Sequence, residues 1–176
     1  GEIPFKNGGS YKGDCIVLTN TMKEALKLEK TYDDLVPFGE GELTLKQDGG
    51  YTRTFEGKFQ FLRKIPGETY KLTHRYDKTG FWYTVTGVIE NESKGFQGQV
   101  KMTFSTGDTW DGINDNETPN GKGVYYLKDQ GMTWEGEKYG ELEQGYGTMS
   151  WEDGRKYVGY VKDCKFHGYG KYNRGM

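Results

Sequence analysis

The chain has 176 residues, the size of a single domain, and 15% of it is aromatic within a hydrophobic share of 33%, so nearly half of its apolar side chains are rings. Its formal charge is −2, and from Trp110 onward 9 Lys or Arg stand against 11 Asp or Glu. Nucleic acid and anionic membranes are bound by clustered positive charge and are not expected as direct partners, and no run of about 18 apolar residues is present to cross a bilayer as a helix.

Gly1-Glu2-Ile3-Pro4-Phe5 has neither the basic flank nor the apolar run of a secretion signal, and residues to Ser10 read as a loosely paired lead-in. Tyr11-Lys12-Gly13-Asp14-Cys15-Ile16-Val17 starts a strand. Thr21-Met22-Lys23-Glu24 has the form of a capping box, and Met22, Ala25, Leu28, Tyr32 and Leu35 recur at helical spacing. An amphipathic helix of about three turns is predicted inside Thr21 to Leu35, ending before Pro37. It interrupts a hairpin whose second strand is Phe38-Gly39-Glu40-Gly41-Glu42-Leu43-Thr44-Leu45. Phe55-Glu56-Gly57-Lys58-Phe59 opens a second unit, although Ile65 to Tyr70 lacks the matching glycine pair. Phe81 to Ile89 is strongly strand-like, and Gly98 follows Gly87 at the offset that separates Gly112 from Gly123.

From Trp110 one pattern then comes round three times. Trp110-Asp111-Gly112 is followed by Gly121-Lys122-Gly123-Val124-Tyr125, Trp134-Glu135-Gly136 by Gly145-Tyr146-Gly147-Thr148-Met149, and Tyr157-Val158-Gly159 by Gly168-Tyr169-Gly170-Lys171-Tyr172. Period-two alternation on either side of a polar, glycine-bearing stretch makes each unit one β-hairpin. A glycine facing a large ring makes room for that ring.

Over Trp110 to Tyr172 the chain resembles MORN repeats, whose pattern is an aromatic, any residue, glycine, a short spacer, then Gly-x-Gly and a further aromatic or aliphatic residue. The resemblance implies a mainly β fold: one extended, single-layer antiparallel sheet of tandem hairpins, here about six units in a single repeat domain spanning residues 1–176, with the amphipathic helix inserted in the first. It also implies a scaffold or protein-binding role near membranes or the cytoskeleton, and homo-oligomer formation.

A thin sheet of this kind is expected to offer a ridged surface and no deep pocket. One face cannot be covered by the array itself, so some rings must be either exposed or covered by a helix or a partner. The candidate partner-binding residues are Trp110, Tyr125, Trp134, Met149, Trp151, Tyr157 and Tyr172, and the expected partner is a helical or extended protein segment laid along the groove. The inserted helix is expected to lie on the same face as a cap or a displaceable guard.

Catalysis is not expected. His74 and His167 are the two histidines, Cys164-Lys165-Phe166-His167 has no further ligands to complete a metal site, and no nucleophile, phosphate-loop or cofactor motif is present. Cys15 and Cys164 lie near opposite ends of an array roughly 50 Å long at ~4.8 Å per strand, so free thiols and a reducing, cytoplasmic setting are expected. Two other classes remain open. Tyr125-Tyr126-Leu127-Lys128-Asp129-Gln130-Gly131-Met132 resembles one repeat of a carbohydrate- or choline-binding cell-wall module, and arrays of this kind also occur as regulatory regions of larger enzymes.

Overall fold

The computed structural model describes residues 1–25 and 35–175. The strands are β1 (Glu2–Pro4), β2 (Ser10–Val17), β3 (Leu35–Gln47), β4 (Tyr51–Gln60), β5 (Arg63–Lys64), β6 (Glu68–Tyr76) and β7 (Trp82–Ile89). Then follow β8 (Gln97–Phe104), β9 (Thr109–Asp115), β10 (Thr118–Leu127), β11 (Met132–Tyr139), β12 (Leu142–Trp151), β13 (Lys156–Lys162) and β14 (Lys165–Asn173), with one short helix, α1 (Asn20–Ala25). All belong to a single antiparallel sheet in which strand order follows chain order, apart from the two-residue β5, which pairs only with the end of β4.

The two glycines of the Gly-x-Gly motif do different work. In β9–β10, Gly112 pairs with Gly123, but Asn114 pairs with Pro119, so four residues of β10 span the length of two on β9. The same excess on the second strand appears in β2–β3, β11–β12 and β13–β14, each time just past the glycine pair. Extra residues on one strand bend a hairpin. The first glycine of the motif lies inside that excess with positive φ in all four hairpins: Gly39, Gly121, Gly145 and Gly168.

The second glycine clears space for the ring. A Cβ on Gly123 would lie 2.6 Å from Trp110, one on Gly147 2.5 Å from Trp134, and one on Gly41 or Gly170 would strike Tyr11 or Tyr157. Each ring lies flat over the glycine pair in the angle of the bend, and its polar tip reaches the bent segment. Tyr11 and Tyr157 hydroxyls donate to the carbonyls of Asp14 (3.0 Å) and Tyr160 (2.8 Å), and Trp134 Nε1 donates to that of Glu137 at 3.0 Å. Trp110 Nε1 donates instead to Asn114 Oδ1 at 2.8 Å.

This is how one layer buries a core. A single cross-strand row runs from Ile3 through Tyr11, Leu43, Phe55, Leu72, Val85, Met102, Trp110, Tyr125, Trp134, Met149 and Tyr157 to Tyr172. Trp110 and Trp134 are fully buried, with no second layer over them among the described residues. The expectation that one face must await outside cover is therefore corrected along most of the row: the rings are covered by the sheet's own bends. Burial of each large ring contributes about 2–3 kcal/mol before entropy.

Three further expectations change. The helix starts at Asn20, one residue before the predicted span, so Thr21 falls within its first turn and Thr19 caps it, its Oγ1 accepting from Met22 N at 3.2 Å. No side chain of α1 is buried, and the predicted continuation through Leu28 and Tyr32 lies outside the described residues. Leu35 opens β3 rather than closing the helix, and Pro37 sits within that strand opposite Cys15, at the register shift where a missing N–H is tolerated. Gly98 does not oppose Gly87, because the register Val85↔Met102 and Thr86↔Lys101 brings Val100 to that place, 2.9 Å from a Cβ on Gly87. In the second unit the missing glycine is replaced by Tyr70, whose ring comes from the opposite strand to cover Gly57.

Candidate functional site

In a flat sheet, β4 and β9 would be separated by β6, β7 and β8, a distance of about 19 Å. Arg53 on β4 nevertheless donates two hydrogen bonds to Glu117 in the β9–β10 turn, at 2.7 and 2.8 Å. The sheet therefore curls, and the hairpin tips fold in over the row Arg53, His74, Tyr83 and Phe104. Tyr83 adds a hydroxyl donor to Glu117 Oε1 at 2.9 Å. Burial by itself would push the Glu117 carboxyl up; the hydrogen bonds and charge of Arg53, with the Tyr83 hydroxyl, outweigh it and hold the carboxyl below its usual range. Burial and that same carboxylate push the Tyr83 hydroxyl up.

His74 is sandwiched between Tyr51 and Tyr83, with ring centroids 4.8 and 4.9 Å away. Arg53 Nη1 lies 3.0 Å from its Nδ1; a guanidinium can only donate, so Nδ1 accepts and the ring proton sits on Nε2. Nε2 is buried with no hydrogen-bond partner among the described residues. Burial first, then the Arg53 charge, depress the pKa of His74. The unfolded chain takes up this proton as pH falls through about 6.5 while the native site resists it, so stability is complete above that value and is lost as pH falls through it. Denaturation midpoints at pH 7.5 and 5.5 should therefore separate further for the native chain than for His74→Phe, which keeps the stack without the titration. Equal separations would show that His74 does not carry the effect.

Beside this cluster lies a cavity of about 360 Å³, with Phe81, Tyr83 and Phe104 on one side and Pro119, Tyr125, Lys138 and Glu141 on the other. The expectation is of a ridged surface with no deep pocket, and this depression lies between the row and the bent tips. Lys138 and Glu143, paired across β11 and β12, are each only 5% exposed. Lys138 Nζ stands 4.3 Å from the centroid of the Tyr125 ring, and among the described residues it has no hydrogen-bond acceptor or ion pair. Burial lowers its pKa, with Glu143 opposing. Glu143 accepts instead from the Cys164 thiol, which burial and that carboxylate push up. The Tyr125 hydroxyl is pushed up to about 12 by burial and by neighbouring Asp108.

Six of the seven candidate partner-binding residues share the ring row, and Trp151 stands two positions from Met149, opposite Met132. Trp110, Trp134, Met149 and Tyr157 are buried and offer no free surface, whereas Tyr125 and Trp151 are half-buried and Tyr172 is 44% exposed. Arg155 covers Trp151, its guanidinium 4.9 Å from the ring. His167 is exposed on β14, both cysteines are free, and no cluster of metal-ligating side chains occurs among the described residues. Arg53, Glu117 and Lys138 were not singled out from the sequence, yet two of them carry a signal there. Lys138 shares the inward parity of Trp134 and Gly136, and Arg53 that of Phe55.

One surface left open is at the far end of the sheet. Among the described residues β14 pairs only with β13, none of its residues is buried, and Phe166, Tyr169 and Tyr172 are all exposed, Tyr169 by 91%. No family model matches the chain, and no curated protein matches it.

Proposed function

We propose that the chain is a non-catalytic protein-interaction module of the MORN-repeat kind, a scaffold that takes its partner at the β13–β14 end. The observation that supports this reading is β14 itself: nine exposed residues with an unpaired edge and three exposed rings. An unpaired edge of that length is a template for strand addition. Inside the sheet, the place equivalent to Tyr172 is filled by Tyr125, which faces Trp134 while Gly123 faces Gly136. The partner is an extended segment presenting an aromatic residue opposite Tyr172 and a glycine opposite Gly170. It comes from another protein, from a second copy of the chain or from a further repeat of the same polypeptide. The free cysteines suit a reducing, cytoplasmic setting, and the resemblance to MORN repeats suggests one near the cytoskeleton. A choline cage at Tyr125 is disfavoured, because Lys138 already occupies the face of that ring.

A labelled peptide with the sequence of Met132–Tyr139, the strand that pairs with β10 inside the fold, tests this. It should bind the intact protein saturably, and the exposed-site change Tyr172→Ala should weaken it about tenfold, or roughly 1.4 kcal/mol. No binding, together with a monomer in sedimentation at high concentration, would overturn the reading.

A further inference from the structure

We propose that the cavity between the Tyr83–Phe104 row and the hairpin tips binds a free α-amino acid with an aromatic or large apolar side chain. Its volume of about 360 Å³ lies in the range of small-molecule sites. Phe81, Tyr83 and Phe104 supply flat apolar walls for a ring.

The polar groups are what fix the ligand class. Lys138 is 5% exposed, lines the cavity, and rests its ammonium on the Tyr125 ring with no acceptor among the described residues. The stem of Lys138 is buried while its ammonium opens into the cavity, where a carboxylate would find a hydrogen-bond donor that no side chain among the described residues yet uses. A simple anion is nevertheless a poor occupant, because Asp108 and Glu141 line the same cavity, and although their charges act on Lys138, neither is within ion-pair distance of a cationic side chain among the described residues. Glu117, the third acid of the lining, is neutralised by Arg53. A simple cation is disfavoured in turn by Lys138. A zwitterion answers both: its carboxylate meets Lys138, its ammonium meets Asp108 and Glu141, and its side chain lies on the aromatic wall.

Calorimetric titration of the intact chain with three probes of one body tests the assignment: L-phenylalanine, phenylacetate, which lacks the ammonium, and phenethylamine, which lacks the carboxylate. Phenylalanine should bind, and each truncated probe should bind at least about tenfold more weakly. Lys138→Met should remove the advantage of phenylalanine over phenethylamine. Glu141→Gln, at an exposed position where folding is not at stake, should narrow its advantage over phenylacetate. If no probe binds, if either truncated probe binds as tightly as phenylalanine, or if Glu141→Gln leaves the ratios unchanged, the proposal is overturned. None of these results bears on the peptide titration at β14, so the two readings fail separately.

Discussion

Replacing Gly147 by valine is expected to destabilise the protein by about 3 kcal/mol, lowering the melting temperature by roughly 6–12 °C. The added Cβ would strike the Glu135 carbonyl and lie 2.5 Å from Trp134 Cη2 and 2.9 Å from its Cζ2. Neither obstacle can give way. The carbonyl belongs to the sheet backbone, and the indole is fully buried with its Nε1 committed to Glu137. Gly168→Ala provides the comparison, since a Cβ there meets nothing within 4 Å and only a φ of +67° opposes it. That substitution should cost about 1 kcal/mol. Should the two variants melt together, Trp134 does not lie on the glycine pair.

Glu117→Ala should cost about 3 kcal/mol, because it leaves the Arg53 guanidinium, whose side chain is only 21% exposed, without its bidentate partner. It also removes the acceptor for the Tyr83 hydroxyl. Adding Arg53→Met should recover more than half of the loss, since the penalty comes from the stranded charge rather than from missing attraction. Acid titration gives a second readout. The folded carboxyl lies below its unfolded value of about 4.3, so its contribution is complete above that pH and is lost as pH falls through the lower folded value. Glu117→Gln should flatten that acid limb; an unchanged limb, or a double variant no better than the single, would remove the pair from its place in the curl.

Much of the sheet is legible in the chain. The spacing from Trp110 to Gly112 and on to Gly121 and Gly123 marks a hairpin because each residue has a separate mechanical task, and those tasks leave residue types behind. The bend leaves a weaker trace, since a register excess of two residues is a matter of pairing, visible in the sequence only as the first glycine of Gly-x-Gly. Without the bend, the ring row looks like exposed surface, and so Trp110 and Trp134 read as contact residues when they are core. The cavity was hidden for a different reason. Its parts come from Tyr83, Glu117 and Lys138, on separate hairpins, and a charged residue in an alternating strand reads as solvated unless its parity is followed inward. The first unit illustrates both limits: the Gly13–Gly41 pairing follows from the motif, while the early start of α1 at Asn20 turns on which of two threonines caps it.

Because neighbours in the sheet are neighbours in the chain, nearly every pairing closes a short loop, and the ordering of the backbone can spread from any hairpin to the next. The Arg53–Glu117 clasp is different: it joins residues 64 apart, and has nothing to hold until four successive hairpins have formed and curled. An interaction made that late is absent from the transition state, and its energy then appears almost wholly in the rate of leaving the native state. The hairpins are expected to set how quickly the molecule assembles, and loss of the ion pair to speed its opening rather than slow its folding.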